Sequence, residues 1–109
     1  MQRGDVVTIA AQGDFGKPRP AVIVQSNALA PMIDSVLVCP FTTEANEGAY
    51  FRAAIAPTAA NGLRAPSFAM ADKTAALRPA RIGPAIGRLT PADMARINAA
   101  LAFALGLAD

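Results

Sequence analysis

An arginine held between two prolines is the residue of this 109-residue chain whose setting points most directly to chemistry. Arg19 lies in the run Gly16-Lys17-Pro18-Arg19-Pro20. Because proline fixes its own φ and restricts the residue before it, the backbone limits where the Arg19 guanidinium can point. A planar guanidinium held in this way can bind a phosphate or the doubly charged phosphorane of phosphoryl transfer. The plainer interpretation is a surface arginine that leaves a loop or pairs with a carboxylate.

Hydroxyl side chains follow an apolar run in the segment Phe41-Thr42-Thr43-Glu44. If the run is a strand, its end would place the two threonine hydroxyls at the rim of a sheet, where they could bond a phosphate oxygen. The alternative is a plain strand end, at which hydroxyl residues favour a turn.

Asp72 continues a pattern in which Phe68 and Met70 share one face of a predicted strand. With those two side chains in the core, the Asp72 carboxylate would lie toward the rim on the same face. It could be a buried carboxylate paired with Arg19, which is the commoner role, or a general base.

Three arginines near the C-terminal end of the sheet region, Arg78, Arg81 and Arg88, would form a basic stripe if they cluster. Cys39 lies inside an apolar run and is predicted to be a small core residue.

The composition excludes several kinds of site. The chain has no histidine and one cysteine, which removes Ser-His and Cys-His pairs, histidine zinc sites, multi-cysteine metal sites and internal disulfides. Catalysis would therefore depend on Arg, Lys, Asp, Glu, Thr, Ser, Tyr or backbone groups, and we expect no cofactor. Ten basic and eight acidic residues give a net charge of +2, which by itself indicates only a mildly basic surface.

Length and hydropathy predict one domain that spans residues 1–109. The chain is 53% hydrophobic and 17% charged, so it is not globally disordered, and its length suits a single core. The most apolar stretch, Ala99 to Ala108, is half of the roughly 20 residues that a membrane-spanning helix needs. With no visible export signal and a lone cysteine, we expect a cytoplasmic protein with no membrane association.

Six short strands are predicted from apolar and β-branched runs that turn residues separate. Their expected bounds are Val6–Ala10, Pro20–Ser26, Ser35–Phe41, Tyr50–Ala56, Ser67–Thr74 and Pro84–Leu89. The third is nearly all apolar and should be buried on both faces. Short strands and tight turns such as Asn61-Gly62 predict an α+β fold, mainly β, in which a helix covers a small, strongly curved sheet or barrel.

The C-terminal residues predict an amphipathic helix from Pro91 to about Leu105. Thr90 is the expected N-cap, Asp93 follows three residues later, and Gly106 should end the helix. The apolar stripe is expected to contain Met94, Ile97, Ala100, Leu101, Phe103, Leu105 and Leu107. A stripe at this spacing is typical of core, so residues 102–108 should be committed to packing.

Taken together, these segments resemble the MazF/PemK family of toxins from bacterial toxin–antitoxin pairs, over nearly the whole chain. The order and spacing of the matching segments carry the resemblance. They are Arg3–Val7, Lys17–Ser26, Asp34–Thr43, Asn61–Leu63, Pro66-Ser67, Met70–Lys73 and Ile86–Leu89.

The resemblance implies an SH3-like barrel of five to seven strands with a C-terminal helix, a homodimer, and neutralisation by a cognate antitoxin. It also implies sequence-specific, metal-independent cleavage of single-stranded RNA: mRNA, or tRNA or rRNA. The family's arginine after the first loop maps onto Arg19, and its strand-end threonine maps onto Thr42. Asp72 matches an aspartate that some relatives use, but the arginine that they carry two residues earlier is Met70 here. The loop histidine of other relatives has no counterpart in this chain.

On this basis we expect the substrate's own 2′-hydroxyl to attack the adjacent phosphate and give a 2′,3′-cyclic phosphate. Arg19 would compensate charge, and Thr42 would hold a non-bridging oxygen or the 2′-hydroxyl. The candidate bases are Asp72 and Glu44, and Arg19 could donate a proton only in an unusual environment.

The residues expected to contact RNA lie around these groups, and an aromatic ring among them would stack on an unpaired base. They are Phe15, Lys17, Thr43, Glu44, Arg78 and Arg81. Phe41 could also stack but is expected in the core.

Two other functions stay open. The first is a non-enzymatic toxin that poisons DNA gyrase through its C-terminal helix, as the CcdB relatives do; it needs residues 102–108 exposed to a protein partner. The second is a catalytically inactive RNA-binding barrel, which would shift RNA on a gel without cutting it. Fold alone does not separate these functions.

Overall fold

A computed structural model describes residues 1–10, 17–45, 49–107 and 109. Within these residues the chain forms seven strands, one α-helix and three one-turn 3-10 helices. The strands are β1 (Asp5–Ala10), β2 (Pro18–Ile23), β3 (Val36–Thr42), β4 (Arg52–Ile55), β5 (Ser67–Met70), β6 (Ala75–Leu77) and β7 (Ile82–Arg88). The α-helix is α1 (Pro91–Ala104), and the 3-10 helices are Ala30–Met32, Ala71–Lys73 and Pro79–Arg81. The predicted α+β class is confirmed.

The described strands form one antiparallel sheet in the order β4-β5-β3-β2-β1-β7, and β6 pairs with the first half of β3. β5 pairs with the last two residues of β3 on the same edge, so the segment Ser67–Leu77 follows β3 along its whole length. Register shifts interrupt the pairing of β1 with β7. Such irregularities increase local twist, which suits a strongly curved sheet.

One predicted strand is too long at its end, and one observed strand was not predicted. The predicted strand Ser67–Thr74 stops at Met70, because Ala71–Lys73 turns into a 3-10 helix. The strand β6 was not predicted, since Ala75-Ala76-Leu77 has no β-branched residue and owes its form to pairing with β3. The other predicted strands overlap observed ones within a few residues.

The central strands are buried on both faces because the sheet separates two apolar clusters. One cluster includes Val22, Cys39 and Phe41 and is covered by α1. The other includes Ala21, Ile23 and Val38, against which Leu77 and Ile82 pack. β3 contributes to both clusters in alternation, as its apolar sequence predicts.

The helix α1 begins and ends as predicted, but its last turn is not packed. The Asp93 amide donates to the Thr90 hydroxyl at 3.1 Å, and Gly106 ends the helix with φ +70°. Met94, Ile97 and Ala100 are buried, and Leu101 packs against the core.

Phe103 is 55% exposed, Leu105 67% and Leu107 74%. The expectation that residues 102–108 are committed to packing is therefore wrong for these three. The Phe103 ring meets the ring of Tyr50, which is itself 77% exposed, with 5.6 Å between their centroids. Ala108 lies outside the described residues. No described helix combines the length and hydropathy that crossing a membrane requires.

Candidate functional site

Arg19 is the second residue of β2, and Thr42 is the last residue of β3. The two strands pair antiparallel over three residues each, from Ala21 opposite Pro40 to Ile23 opposite Val38. If this register is continued by two residues beyond the last pair, Arg19 lies opposite Thr42. Residues opposite each other on antiparallel strands have Cβ atoms about 4.5–5.5 Å apart, which is close enough for both side chains to contact one phosphate.

The lining of a nearby cavity supports this extension of the register. One residue further along, Pro18 should lie opposite Thr43, and both residues line the same cavity. The start of β2 and the residue after β3 therefore border the same cavity. We call the four residues Pro18, Arg19, Thr42 and Thr43 the rim.

Strand alternation sends the rim residues to opposite faces of the sheet. Arg19 shares a face with Ala21 and Ile23, which are buried in the second apolar cluster, and it pairs with Ile9 on β1. Arg19 itself is exposed. The guanidinium therefore extends from the edge of an apolar surface to solvent, while the two prolines beside it face the other way.

Thr42 already accepts one hydrogen bond from its own turn. The Glu44 amide donates to the Thr42 hydroxyl oxygen at 3.2 Å. A hydroxyl has one further acceptor position and a donor hydrogen, so Thr42 can still bond a phosphate oxygen or a ribose hydroxyl. The same bond draws the Glu44 backbone to Thr42, and Thr43 and Glu44 are both exposed.

The predicted RNA contacts divide into residues near the rim and residues away from it. Lys17 directly precedes the rim and is exposed. Arg81 precedes Ile82, which pairs with Ile9, the β1 residue that also pairs with Arg19. Phe15 lies outside the described residues.

The expected basic stripe of Arg78, Arg81 and Arg88 is not formed. Arg78 lies away from the rim. It follows Leu77, which pairs with Val36 at the start of β3, and Thr42 is at the opposite end of that strand. Arg88 ends β7 and donates to the Asp5 carboxylate at 2.6 Å. Arg81 directly precedes β7, and Arg88 is the last residue of that strand. An extended strand rises about 3.3 Å per residue, so the length of β7 keeps these two arginines apart.

The expected pairing of a buried Asp72 with Arg19 is wrong, because Arg52 holds the carboxylate. Arg52 donates from Nε and Nη2 to the two carboxylate oxygens at 2.8 and 3.1 Å. The Asp72 side chain is 34% exposed and lies on the 3-10 helix after β5 rather than on a strand. The hydrogen bonds from Arg52 lower the pKa of Asp72 below its ordinary value.

Arg52 is a residue that sequence reasoning missed. In the β4–β5 register it lies opposite Met70, the position at which some relatives of the resembled family carry an arginine. The guanidinium that residue 70 lacks is thus supplied from the neighbouring strand. The sequence offered no local signal for this, since the two partners are 20 residues apart.

On the other face of the rim, a cavity of about 560 Å³ opens between β1, β2, β7 and the segment after β4. We call it the proline cavity, because Pro18 and Pro20 form part of its wall together with Ile86. Thr43 and Arg64 bring polar groups to its lining. Arg64 is the second residue that sequence reasoning missed; its one signal is a basic residue two positions after Gly62 of the Asn61-Gly62 turn.

The Asn61-Gly62 turn holds the backbone of the segment that contains Arg64 in one conformation. The buried Asn61 side chain accepts hydrogen bonds from the Thr58 and Leu63 amides and donates to the Ala56 carbonyl. Gly62 has φ +72°, and a Cβ there would lie 2.3 Å from the Ile86 carbonyl oxygen. Only glycine fits so close an approach in this conformation.

Cys39 is buried in the first apolar cluster, as predicted, and desolvation raises the pKa of its thiol to about 11. A neutral, inaccessible thiol is a poor nucleophile. Among the residues that the structure describes, no three or more Cys, Asp or Glu side chains are grouped to hold a metal ion.

Comparison of the whole chain with known protein families identifies the family to which it belongs. The family model of the PemK-like, MazF-like toxins of type II toxin–antitoxin systems matches residues 2–105. The chain belongs to this toxin family. A protein described as a probable endoribonuclease MazF, from Mycolicibacterium smegmatis, is 40% identical over 109 residues, which cover 99% of both chains. The family identified from the sequence is thereby confirmed.

Solved structures of similar toxins share the fold. An endoribonuclease from a mycobacterial species, in complex with its cognate antitoxin, superposes with a TM-score of 0.83 at 31% identity and covers 98% of this chain and 96% of that one. The Mycobacterium tuberculosis toxin MazF-mt6 has a TM-score of 0.79 at 24% identity, over 94% of this chain and 96% of that chain. The second likeness concerns the fold alone.

These comparisons lend no support to the alternative of a gyrase poison. The structural argument against that alternative, a packed C-terminus, does not hold for this toxin, because Phe103, Leu105 and Leu107 are exposed. What favours the endoribonuclease family over this alternative is the family match, not the packing of the helix.

Proposed function

We propose that this toxin is an endoribonuclease that cleaves single-stranded RNA at the rim of β2 and β3. The proposal is supported by the register of β2 and β3, which sets the exposed Arg19 opposite Thr42 when it is continued by two residues, in a chain that belongs to the MazF-like toxins. A guanidinium and a hydroxyl on neighbouring strands form a rigid pair of phosphate ligands. Rigid placement matters because a preorganised donor costs no reorganisation at the moment of reaction.

The reaction uses the nucleophile that RNA itself provides. The ribose 2′-oxygen attacks the adjacent phosphorus, and its proton passes to a base. The bond to the 5′-oxygen of the next nucleotide breaks, and the departing oxygen takes up a proton from water. The products are a 2′,3′-cyclic phosphate and a 5′-hydroxyl end. The attack is intramolecular, so its entropic cost is small, and Arg19 compensates the charge on the phosphorane. Thr42 holds a non-bridging oxygen or the 2′-hydroxyl, and the proposed reaction needs no metal ion or other cofactor.

Of the two candidate bases, Glu44 is better placed than Asp72. Its backbone is hydrogen-bonded to Thr42, and its side chain is exposed at the rim. Asp72 lies four residues after Phe68, the β5 residue that pairs with Thr42. Arg52 donates hydrogen bonds to both oxygens of the Asp72 carboxylate. Because those bonds lower its pKa, Asp72 is also a weaker proton acceptor than an ordinary aspartate.

Binding of the RNA is assigned to the residues around the rim. Lys17 and Arg81 contact backbone phosphates, and Thr43 and Glu44 line the path of the strand. Phe15 stacks on an unpaired base, since sequence-specific proteins read RNA through splayed bases. Arg78, at the other end of β3, contributes at most a distant phosphate contact.

The partners of the toxin follow from its relatives. A mycobacterial endoribonuclease of this fold was solved with its cognate antitoxin. We extend that to this chain: an acidic, disordered antitoxin segment would cover the basic rim and block RNA. The proposed toxin acts as a homodimer in the cytoplasm. The chain is small and has a mean hydropathy of +0.33, and this apolar excess suits a buried subunit interface.

The deciding experiment incubates the purified toxin with a defined single-stranded RNA, with and without EDTA. We expect fragments with 2′,3′-cyclic phosphate and 5′-hydroxyl ends at equal rates in both samples. An RNA with a 2′-deoxyribose at the cleavage position is the matched control and should stay intact. Cleavage that EDTA abolishes, or cleavage of the deoxy substrate, would contradict the mechanism; a gel shift without fragments would indicate an RNA-binding barrel. A supercoiling assay with gyrase, expected to show no inhibition, tests the gyrase alternative directly.

A further inference from the structure

We propose that the proline cavity binds the base of a nucleotide next to the scissile phosphate, and that it favours guanine. The inference deepens the proposed function and rests on it. It assigns a role to Arg64 and to the two prolines beside Arg19, none of which the cleavage reaction itself uses.

The cavity adjoins the cleavage site through the backbone. Pro18 and Thr43 line the cavity, and each is the chain neighbour of a residue proposed to hold the phosphate. Consecutive Cα atoms are 3.80 Å apart across a trans peptide bond. Since neighbouring strand residues face opposite sides, one end of the sheet carries phosphate ligands on one face and a cavity on the other. A nucleotide held by Arg19 can therefore turn its base over the rim into the cavity.

The size and walls of the cavity suit a flat ring. Its volume of about 560 Å³ lies within the roughly 300–1,000 Å³ that is typical of ligand sites. Pro18, Pro20 and Ile86 provide apolar surface, and Thr43 adds a hydroxyl. Unpaired RNA bases are recognised by stacking on such surfaces and by hydrogen bonds along their edges.

Arg64 supplies the group that distinguishes one base from another. Among the described residues its side chain makes no ion pair or hydrogen bond, and it is exposed at the cavity wall. Its donors are therefore available to a ligand. Guanine presents O6 and N7 as adjacent acceptors, which match the guanidinium fork and give the commonest specific contact between arginine and a base.

The loop that carries Arg64 is held before any ligand binds. Asn61 bonds to three backbone groups, and Gly62 packs against the β7 backbone at Ile86. A preformed loop loses little conformational freedom on binding, so contacts from Arg64 contribute to discrimination rather than to ordering the loop.

The test uses single-stranded RNAs that differ only in the base on either side of a mapped cleavage position, plus one RNA that lacks that base. Cleavage rates at subsaturating RNA are measured for the wild type, Arg64→Ala and Arg96→Ala. Arg96 is the matched control because it is an exposed arginine paired to Asp93 on α1. Circular dichroism confirms that each variant is folded.

We expect the wild type to prefer guanine at one flanking position by about 5- to 100-fold, the range for a bidentate arginine contact. Arg64→Ala should reduce that preference to less than about threefold and cut the abasic RNA as fast as the wild type does, because the contact is gone in both cases. Arg96→Ala should keep the full preference.

Three results would overturn the inference. The first is an Arg64→Ala protein with the base preference of the wild type. The second is a uniform loss across all the RNAs, which would make Arg64 a phosphate contact. The third is a wild type that is indifferent to guanine at both positions. A wild type that cuts no RNA would instead overturn the proposed function, and the cavity assignment with it.

Discussion

Two arginines on the same sheet, Arg19 and Arg52, have contrasting surroundings. Arg52 is 11% exposed, and the carboxylate of Asp72 occupies its Nε and Nη2 donors. Arg19 is the second residue of β2, lies between two prolines and is exposed. A guanidinium that is nearly buried and held by a carboxylate through two donors has little left to offer a phosphate. Access to solvent, more than residue type, therefore separates the arginine that supports the fold from the one that can meet a substrate.

The sharpest test of this comparison is Arg19→Ala. Because Arg19 is exposed, the free energy of unfolding should change by less than about 0.5 kcal/mol. The cleavage rate should fall about 10²–10³-fold, as when an enzyme loses a donor to a transition-state oxyanion. Single-turnover rates with one RNA, alongside urea unfolding, measure both quantities. Arg96→Ala is the control, and an Arg19→Ala toxin that cuts at the wild-type rate would remove the basis of the comparison.

The second test compares the two carboxylates. Glu44→Gln should slow cleavage about 100-fold, the lower end for loss of a general base, while Asp72→Asn should slow it less than about threefold. The physical reason is position and pKa: Glu44 adjoins Thr42, whereas Arg52 holds Asp72 ionised. A large loss in Asp72→Asn with normal cleavage in Glu44→Gln would reverse the assignment.

A smaller effect on the cleavage rate is expected at Thr42, one of the two threonines of the rim. Thr42→Val keeps the shape of the side chain and removes its hydroxyl, at a cost of about 0.5–1.5 kcal/mol for a neutral hydrogen bond to the phosphate. Cleavage should therefore fall about 3- to 10-fold. Thr90→Val, which removes the α1 N-cap instead, is the contrasting variant: it should lower stability by about 1 kcal/mol and leave cleavage unchanged. Equal behaviour of the two variants would show that Thr42 only closes its turn.

The parts of this toxin that the sequence predicts are those that local chemistry determines. The cap at Thr90, the stop at Gly106 and the apolar alternation of β3 all depend on residues within one turn or one strand. The juxtaposition of Arg19 and Thr42 came from a family resemblance rather than from local pattern. It requires a register between two strands, which a single sequence does not state.

The features that the sequence missed are non-local. The partner of Asp72 depends on the β4–β5 register, and β6 is a strand only because β3 offers it an edge. The exposed end of α1 was missed because an apolar stripe shows which residues share a face, not how far the surface beneath it extends. Arg64 follows a turn whose direction depends on the packing of Gly62 against β7.

The last test concerns Arg52, the arginine that supports the fold. It has the smallest expected effect. The pKa of Asp72 is lowered from its ordinary 3.8 by Arg52, so the folded state favours the ionised carboxyl. The resulting stability is present at pH values above 3.8 and is lost as pH falls through the lower pKa of the folded state. Since about a third of the side chain is exposed, solvent screening limits the contribution to about 1 kcal/mol or less.

Wild type and Asp72→Asn should therefore differ by that amount in urea unfolding at pH 7, and the two curves should converge below pH 4. The variant Asp93→Asn, at the ion pair with Arg96 on α1, is measured in parallel to separate this effect from general acid destabilisation. A gap between wild type and Asp72→Asn that persists unchanged to the lowest pH would mean that the Asp72 carboxylate stabilises the fold by packing rather than by charge. In that case the contrast between Arg52 and Arg19 would concern burial alone.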